Sequence, residues 1–137
     1  MSGISSVMRA AIVRRAGNCC EYCQLSQAGQ EATFHIDHVL PRAEGGQTIE
    51  DNLALACVSC SLHKAAKLTA TDPDTRETAA LFNPRSQNWA DHFRWERERM
   101  AALTATGRAT IAALQLNRPL ILSIREEETF RGRHPAP

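Results

Sequence analysis

Two C-x2-C pairs, Cys20-Glu21-Tyr22-Cys23 and Cys57-Val58-Ser59-Cys60, flank residues 24–56 of a 137-residue chain. Two intervening residues let both thiolates of a pair turn toward one point, and two such corners make the tetrahedral four-sulfur site that suits zinc. A thioredoxin-type redox motif would need one such pair beside a βαβ pattern, and here there are two. A closed site of this kind supplies folding energy and does no chemistry. The fifth cysteine, Cys19, is read as a non-ligand, with a swap of register against Cys20 as the alternative.

Between the pairs, residues 34–41 read FHIDHVLP. A half-buried strand ordinarily alternates apolar residues with bland polar ones such as Thr or Lys. Here His35 and Asp37 fall on one face of a strand and His38 on the other. One strand can therefore serve a metal on one side and a substrate on the other. Phosphodiester hydrolysis needs an activated water and a cation to stabilise the leaving oxygen. An imidazole titrating near neutral pH is a suitable general base for that water. Taken singly, each residue has a plainer reading: a strand histidine is usually a satisfied polar group, and Asn52 after Glu50-Asp51 is a turn residue. Their order between two C-x2-C pairs gives them weight together.

Asp37-His38 followed by Pro41 and Gly45-Gly46, then Asn52-Leu53 ahead of the second C-x2-C, with Lys64 after it, resembles the HNH endonucleases of the ββα-metal (His-Me finger) type over residues 18–68. The later stretches LFNPRSQNWADHFRW and TGRATIAALQLNRP look like the C-terminal region of a bacterial HNH subgroup. The resemblance implies that His38 is the general base, that Asp37 ligates a catalytic divalent ion, and that Asn52 holds the loop or the His38 ring in orientation. His35, on the Asp37 face, is a further ligand or only lines the site. The catalytic ion would be Mg²⁺ or another divalent ion such as Mn²⁺, Ni²⁺ or Zn²⁺, separate from the structural zinc of Cys20, Cys23, Cys57 and Cys60.

The pattern breaks just after the last knuckle cysteine. The family typically has Asn or His there, helping to bind the catalytic metal, and this chain has Ser61. A serine hydroxyl ligates more weakly and reaches less far. His63 stands two residues on, about 200° around a helix, so it is better placed for a phosphate beside Lys64 and Lys67 than for the metal. Arg42 is a further phosphate contact or a solvated turn residue. Ser61 leaves three readings open: an active nuclease, an attenuated one, or an inactive nucleic-acid-binding module.

The elements that must position these residues follow from pattern. Residues 5–16 predict a helix capped by Ser5 or Ser6 and stopped at Gly17; residues 33–41 predict a strand broken by Pro41 and a turn at 44–46. A short apolar run, DNLALAC, leads into a helix expected to reach about Ala70. A polar stretch then places a boundary near residue 72, dividing residues 1–72, the nuclease module, from an α/β extension over residues 73–137. In the extension, HFRWERERMAAL alternates as a hairpin, and Trp89, Phe93 and Trp95 read as core or, less favoured, as a base-stacking platform. A helix capped by Thr104 or Thr106 should end at Pro119, the REEE run at 125–128 should face solvent, and the final residues should be loose. The expected class is a small α+β protein.

Composition narrows the function less. Residues 1–70 hold six Lys/Arg against six Asp/Glu, and the whole chain has a formal net charge of +1. Domains that bind nucleic acid avidly are usually more basic, so any DNA contact must come from a local patch and be salt-sensitive. No apolar run is long enough to span a membrane. The start, without an apolar segment and cleavage site, predicts a cytoplasmic protein whose cysteines bind metal rather than form disulfides. The expected partner is double-stranded DNA, and the oligomeric state is left open.

Overall fold

The computed structural model describes residues 3–137. Helix α1, Ser6–Arg15, is capped by Ser5, whose hydroxyl accepts from the Met8 N–H at 3.1 Å. Gly17 and Asn18, both at positive φ, turn the chain out of the helix and into the first knuckle. Strands β1, His35–His38, and β2, Leu53–Ala56, pair antiparallel with Ile36 opposite Leu55 and Asp37 opposite Ala54. Every residue of β2 is buried, which explains its unbroken apolar sequence. Its outer edge has no third strand. The knuckle covers it instead: Glu21 N–H donates to Leu55 O at 2.8 Å, and Leu55 N–H donates to the Glu21 carboxylate at 2.9 Å.

Cys57 ends β2 and caps helix α2, Val58–Lys64. The order is therefore strand, strand, helix. Helix α2 stops well short of Ala70, because Ala65 turns to positive φ and sends the chain into a second hairpin. That hairpin pairs β3, Thr69–Thr71, with β4, Thr78–Ala80. The boundary expected near residue 72 falls inside it. Asp72 is fully buried; its carboxylate accepts from the Asp74 N–H and the Thr75 hydroxyl within the turn, and from Arg108 through two bonds of 2.9 and 2.8 Å. Arg108 belongs to helix α4, Ala105–Leu114, so this ion pair ties the hairpin to the later half of the chain.

A short helix α3, Trp89–His92, leads into the expected hairpin of β5, Phe93–Glu96, and β6, Arg99–Ala102. The aromatics are core: Phe93 lies 5.4 Å from Phe82 and 5.2 Å from Trp89, and Trp89 lies 5.3 Å from Trp95, in tilted or edge contacts. The Trp89 indole N–H also donates to Tyr22 O at 3.0 Å, locking this cluster to the first knuckle.

Helix α4, Ala105–Leu114, starts at the Thr104 cap and ends at Gln115 in the left-handed region. Pro119 does not terminate it but opens helix α5, Pro119–Phe130, from the first helical position, where its missing N–H costs nothing. The expected solvent-facing REEE run is split by the helical period. Ile121, Arg125 and Glu128, spaced four and three apart, are buried on one face, leaving Glu126 and Glu127 outside. Nor is the tail wholly loose, since Arg133 pairs with Glu128 at 2.8 Å and the His134 ring packs on Trp95 at 4.5 Å. Among the described residues, no helix is long and apolar enough to cross a membrane.

Arg108 and its hydrogen bonds hold the Asp72 carboxyl well below the ordinary carboxylate range. A depressed folded pKa gives stability that is fully present above the unfolded pKa of about 4 and is lost only as pH falls through the folded value. Asp72→Asn should therefore lower the melting temperature by several degrees, with the same gap to the parent throughout pH 5.5–8. Thermal melts across that range check this; a gap that narrows within it contradicts the assignment.

Candidate active site and metal centre

The ligand atoms of Cys20, Cys23, Cys57 and Cys60 all lie within 4.8 Å of one another, and all four residues are buried. The Cys23 and Cys57 sulfurs are 3.7 Å apart. Zinc–sulfur bonds of about 2.3 Å in a tetrahedron put sulfurs about 3.8 Å apart, so the Cys23–Cys57 spacing is compatible with zinc. Each pair also places a backbone N–H on its first sulfur: Cys23 N–H on Cys20 Sγ and Cys60 N–H on Cys57 Sγ, both at 3.4 Å. Such N–H contacts favour the thiolate. Burial and the neighbouring sulfurs push the Cys20 and Cys60 thiols up, while hydrogen bonds from its neighbours pull Cys57 far down. A group of sulfurs that cannot all ionise unaided, yet has the spacing of a tetrathiolate, is suited to a divalent cation. Cys19 stands outside the group, half-exposed, as expected of a non-ligand.

The face of β1 that carries His35 and Asp37 lies against α2. His35 Nδ1 is 3.0 Å from Ser61 Oγ, and Asp37 Oδ2 is 3.2 Å from Lys64 Nζ. Three residues along the helix thus match two along the strand. Asp37 Oδ2 also accepts from the Tyr22 hydroxyl at 2.7 Å, and the carboxylate in turn, with burial, drives the Tyr22 pKa well up. Oδ1 is the oxygen left through which Asp37 could ligate an ion. Lys64, expected among the phosphate contacts, is only 2% exposed. Its ammonium is spent on Asp37 and on the carbonyls of His38 and Val39, at 3.2 and 3.3 Å. It is a buried clamp between α2 and the end of β1, and reaches no ligand from there.

His38 projects from the opposite face. Its Nε2 lies 2.9 Å from Thr48 Oγ1, and its pKa is lowered, first by burial and then by the nearby Arg42. Asn52 does not touch this ring. Its side chain accepts from Leu40 N–H at 2.8 Å and donates to Leu40 O at 3.0 Å and Gln47 O at 2.9 Å, so it closes the 40–47 loop. That closure needs Gly46, where a Cβ would collide with Leu40 O and the Asn52 amide. Asn52 thereby acts on the loop that carries Thr48, and Thr48 sets the ring.

Residues 20–67 match the family model described as HNH endonuclease. Over that stretch the chain is similar to the HNH endonucleases. No curated protein and no solved structure matches it. HNH proteins are generally nucleases that act on nucleic acid and use divalent metals. Around Asp37 few donors stand ready for a second ion. Among the described residues, the four cysteines are the one cluster of three or more His, Cys, Asp or Glu ligands, and neither His35 nor Asp37 belongs to another. Asp37, His35 and Ser61 offer oxygen and nitrogen donors of a suitable kind, but the Lys64 ammonium cancels the carboxylate charge. The donor set fits an ion held weakly.

Of the remaining expected residues, Lys67 is exposed with its ammonium on His63 O at 2.9 Å, and His63 Nδ1 is turned back onto Ser59 O at 2.8 Å. Three residues went unforeseen. Tyr22 occupies one of the two intervening positions of the knuckle and Thr48 a loop, so no pattern marks either. Arg9, on α1, lines an open groove of about 510 Å³ with His35 and Ser61, and only its charge could have hinted at that.

Native mass spectrometry should find one zinc per chain. Cys60→Ser should lose it together with most cooperative folding, while Cys19→Ser should keep it. Zinc loss on Cys19→Ser would move the cage by one residue.

Proposed function

We propose that this protein is a metal-dependent endonuclease that hydrolyses DNA phosphodiester bonds, nicking one strand of a duplex per active site. One observation carries the reading: within the HNH match, His38 stands on the free face of β1 with its ring fixed by Thr48 and its pKa lowered. Such an imidazole is neutral near pH 7 and able to take a proton. In the tautomer that donates Nε2–H to Thr48 Oγ1, the Nδ1 lone pair is left to receive the proton of an attacking water. Asn52 is a positioning residue, acting through the loop.

Asp37, through Oδ1, with Ser61 and His35 beside it, would hold the catalytic ion, which when bound supplies positive charge for the leaving oxygen. Mg²⁺ or Mn²⁺ suits a donor set of this hardness, with Ni²⁺ and Zn²⁺ also within its range. Arg42, whose charge helps to lower the His38 pKa, and the exposed Lys67 are the basic groups assigned to phosphate contacts. With a net charge of +1, binding should be modest and fall steeply with salt.

A second reading has its own support. The Asp37–Lys64 ion pair and the short Ser61 side chain both disfavour the ion, as expected of an attenuated nuclease or of a zinc-stabilised module that binds nucleic acid without cutting. Plasmid nicking decides between them. In millimolar Mg²⁺ or Mn²⁺ the parent should convert supercoiled DNA to open circles; His38→Ala should slow this by about 10²–10⁴-fold, and Ser61→Asn should lower the metal concentration required. If parent and His38→Ala both leave the plasmid supercoiled at every metal tested, yet retard DNA in a gel, the binding-module reading holds.

A further inference from the structure

Arg125 sits in the middle of α5 with 1% of its surface exposed. One guanidinium nitrogen donates to Glu98 O at 2.9 Å, and the group lies 4.9 Å over the Trp95 ring. Nε and the other terminal nitrogen are buried and have no hydrogen-bond partner. No carboxylate pairs with it among the described residues: Glu128, one turn along the same helix, is taken by Arg133. A buried cation without a counter-charge is costly, so one should be sought nearby. Arg125 and Cys23 line the same small cavity, together with the Glu128–Arg133 pair. The charges that favour its charged form are those of Cys23, Cys60 and Cys57.

Four thiolates around one Zn²⁺ carry a net charge of two minus, and this cage is buried. The two N–H contacts of the knuckles contribute dipoles but no whole charge. Of the other buried cations, Lys64 is committed to Asp37. The geometry points to Arg125 as the counter-cation of the zinc tetrathiolate, an electrostatic latch by which helix α5 stabilises the metal-loaded cage and is itself held down by it. The latch makes zinc occupancy and the docking of the C-terminal helix one coupled equilibrium. The inference rests on zinc occupancy alone and does not depend on nuclease activity.

The test is zinc retention by full-length protein against a colorimetric chelator, for the parent, Arg125→Lys and Arg125→Gln, each first shown to be folded by circular dichroism. Glutamine keeps polar atoms and most of the stem but removes the charge. The expected result is a zinc affinity about 10–100-fold weaker for Arg125→Gln, with Arg125→Lys staying within about threefold of the parent. Equal affinities for all three, or equal losses in both variants, overturn the counter-cation role. If Arg125→Gln does not fold, Arg125→Lys decides: retention within about threefold supports the role, and a tenfold loss overturns it. A parent that never holds zinc would instead remove the tetrathiolate itself, a failure that the parent measurement alone reveals.

Discussion

Four buried sulfurs gathered within 4.8 Å of one another are the constraint on which the other elements depend. Cys20 and Cys23 follow α1, while Cys57 and Cys60 join β2 to α2, so the cage fixes three elements that share few other contacts. The hairpin β1–β2 is only four residues long on each side. Two-stranded hairpins of that size are marginal alone. Here its free edge is closed by Glu21 of the first knuckle and by Arg85, which donates to Leu53 O at 3.1 Å and pairs with Glu21. The metal cage and the edge closure are the same piece of chain, so one depends on the other.

The same arrangement decides what each face of β1 can do. The inner face meets α2, and its one carboxylate is neutralised by Lys64 and hydrogen-bonded by Tyr22. These contacts fix the register of helix on strand, and they also reduce the field available to a divalent ion. The outer face is left to His38, whose ring is held by a hydroxyl from a loop that Asn52 closes. In the proposed function, structural rigidity and ion binding would compete for Asp37, and Ser61, lacking the reach of an imidazole or carboxamide, would not offset the loss.

Much of this was legible from residues alone. Paired C-x2-C spacing marks four ligands because two intervening residues leave little other geometry, and alternation in HFRWERERMAAL marks a hairpin because its side chains have period two. What escaped was set by tertiary partners. Lys64 carries a surface-like residue type, and only its distance to Asp37 shows it buried. Arg125 and Glu128 look solvated in the REEE run until the helical period places them against Trp95 and Arg133. Pro119 reads equally as the end of one helix or the first residue of the next, and the left-handed Gln115 settles the matter four residues earlier. The length of α2 was overestimated because propensity favours Ala65-Ala66-Lys67 as helix, whereas the chain must turn to pair β3 with β4.

The claim underlying all of this is that Cys20, Cys23, Cys57 and Cys60 hold one zinc as a tetrathiolate. X-ray absorption at the zinc edge of the purified full-length protein tests it most directly. The account predicts a single shell of four sulfurs at about 2.3 Å. A shell containing nitrogen or oxygen ligands at about 2.0–2.1 Å, or fewer than four sulfurs, would contradict it.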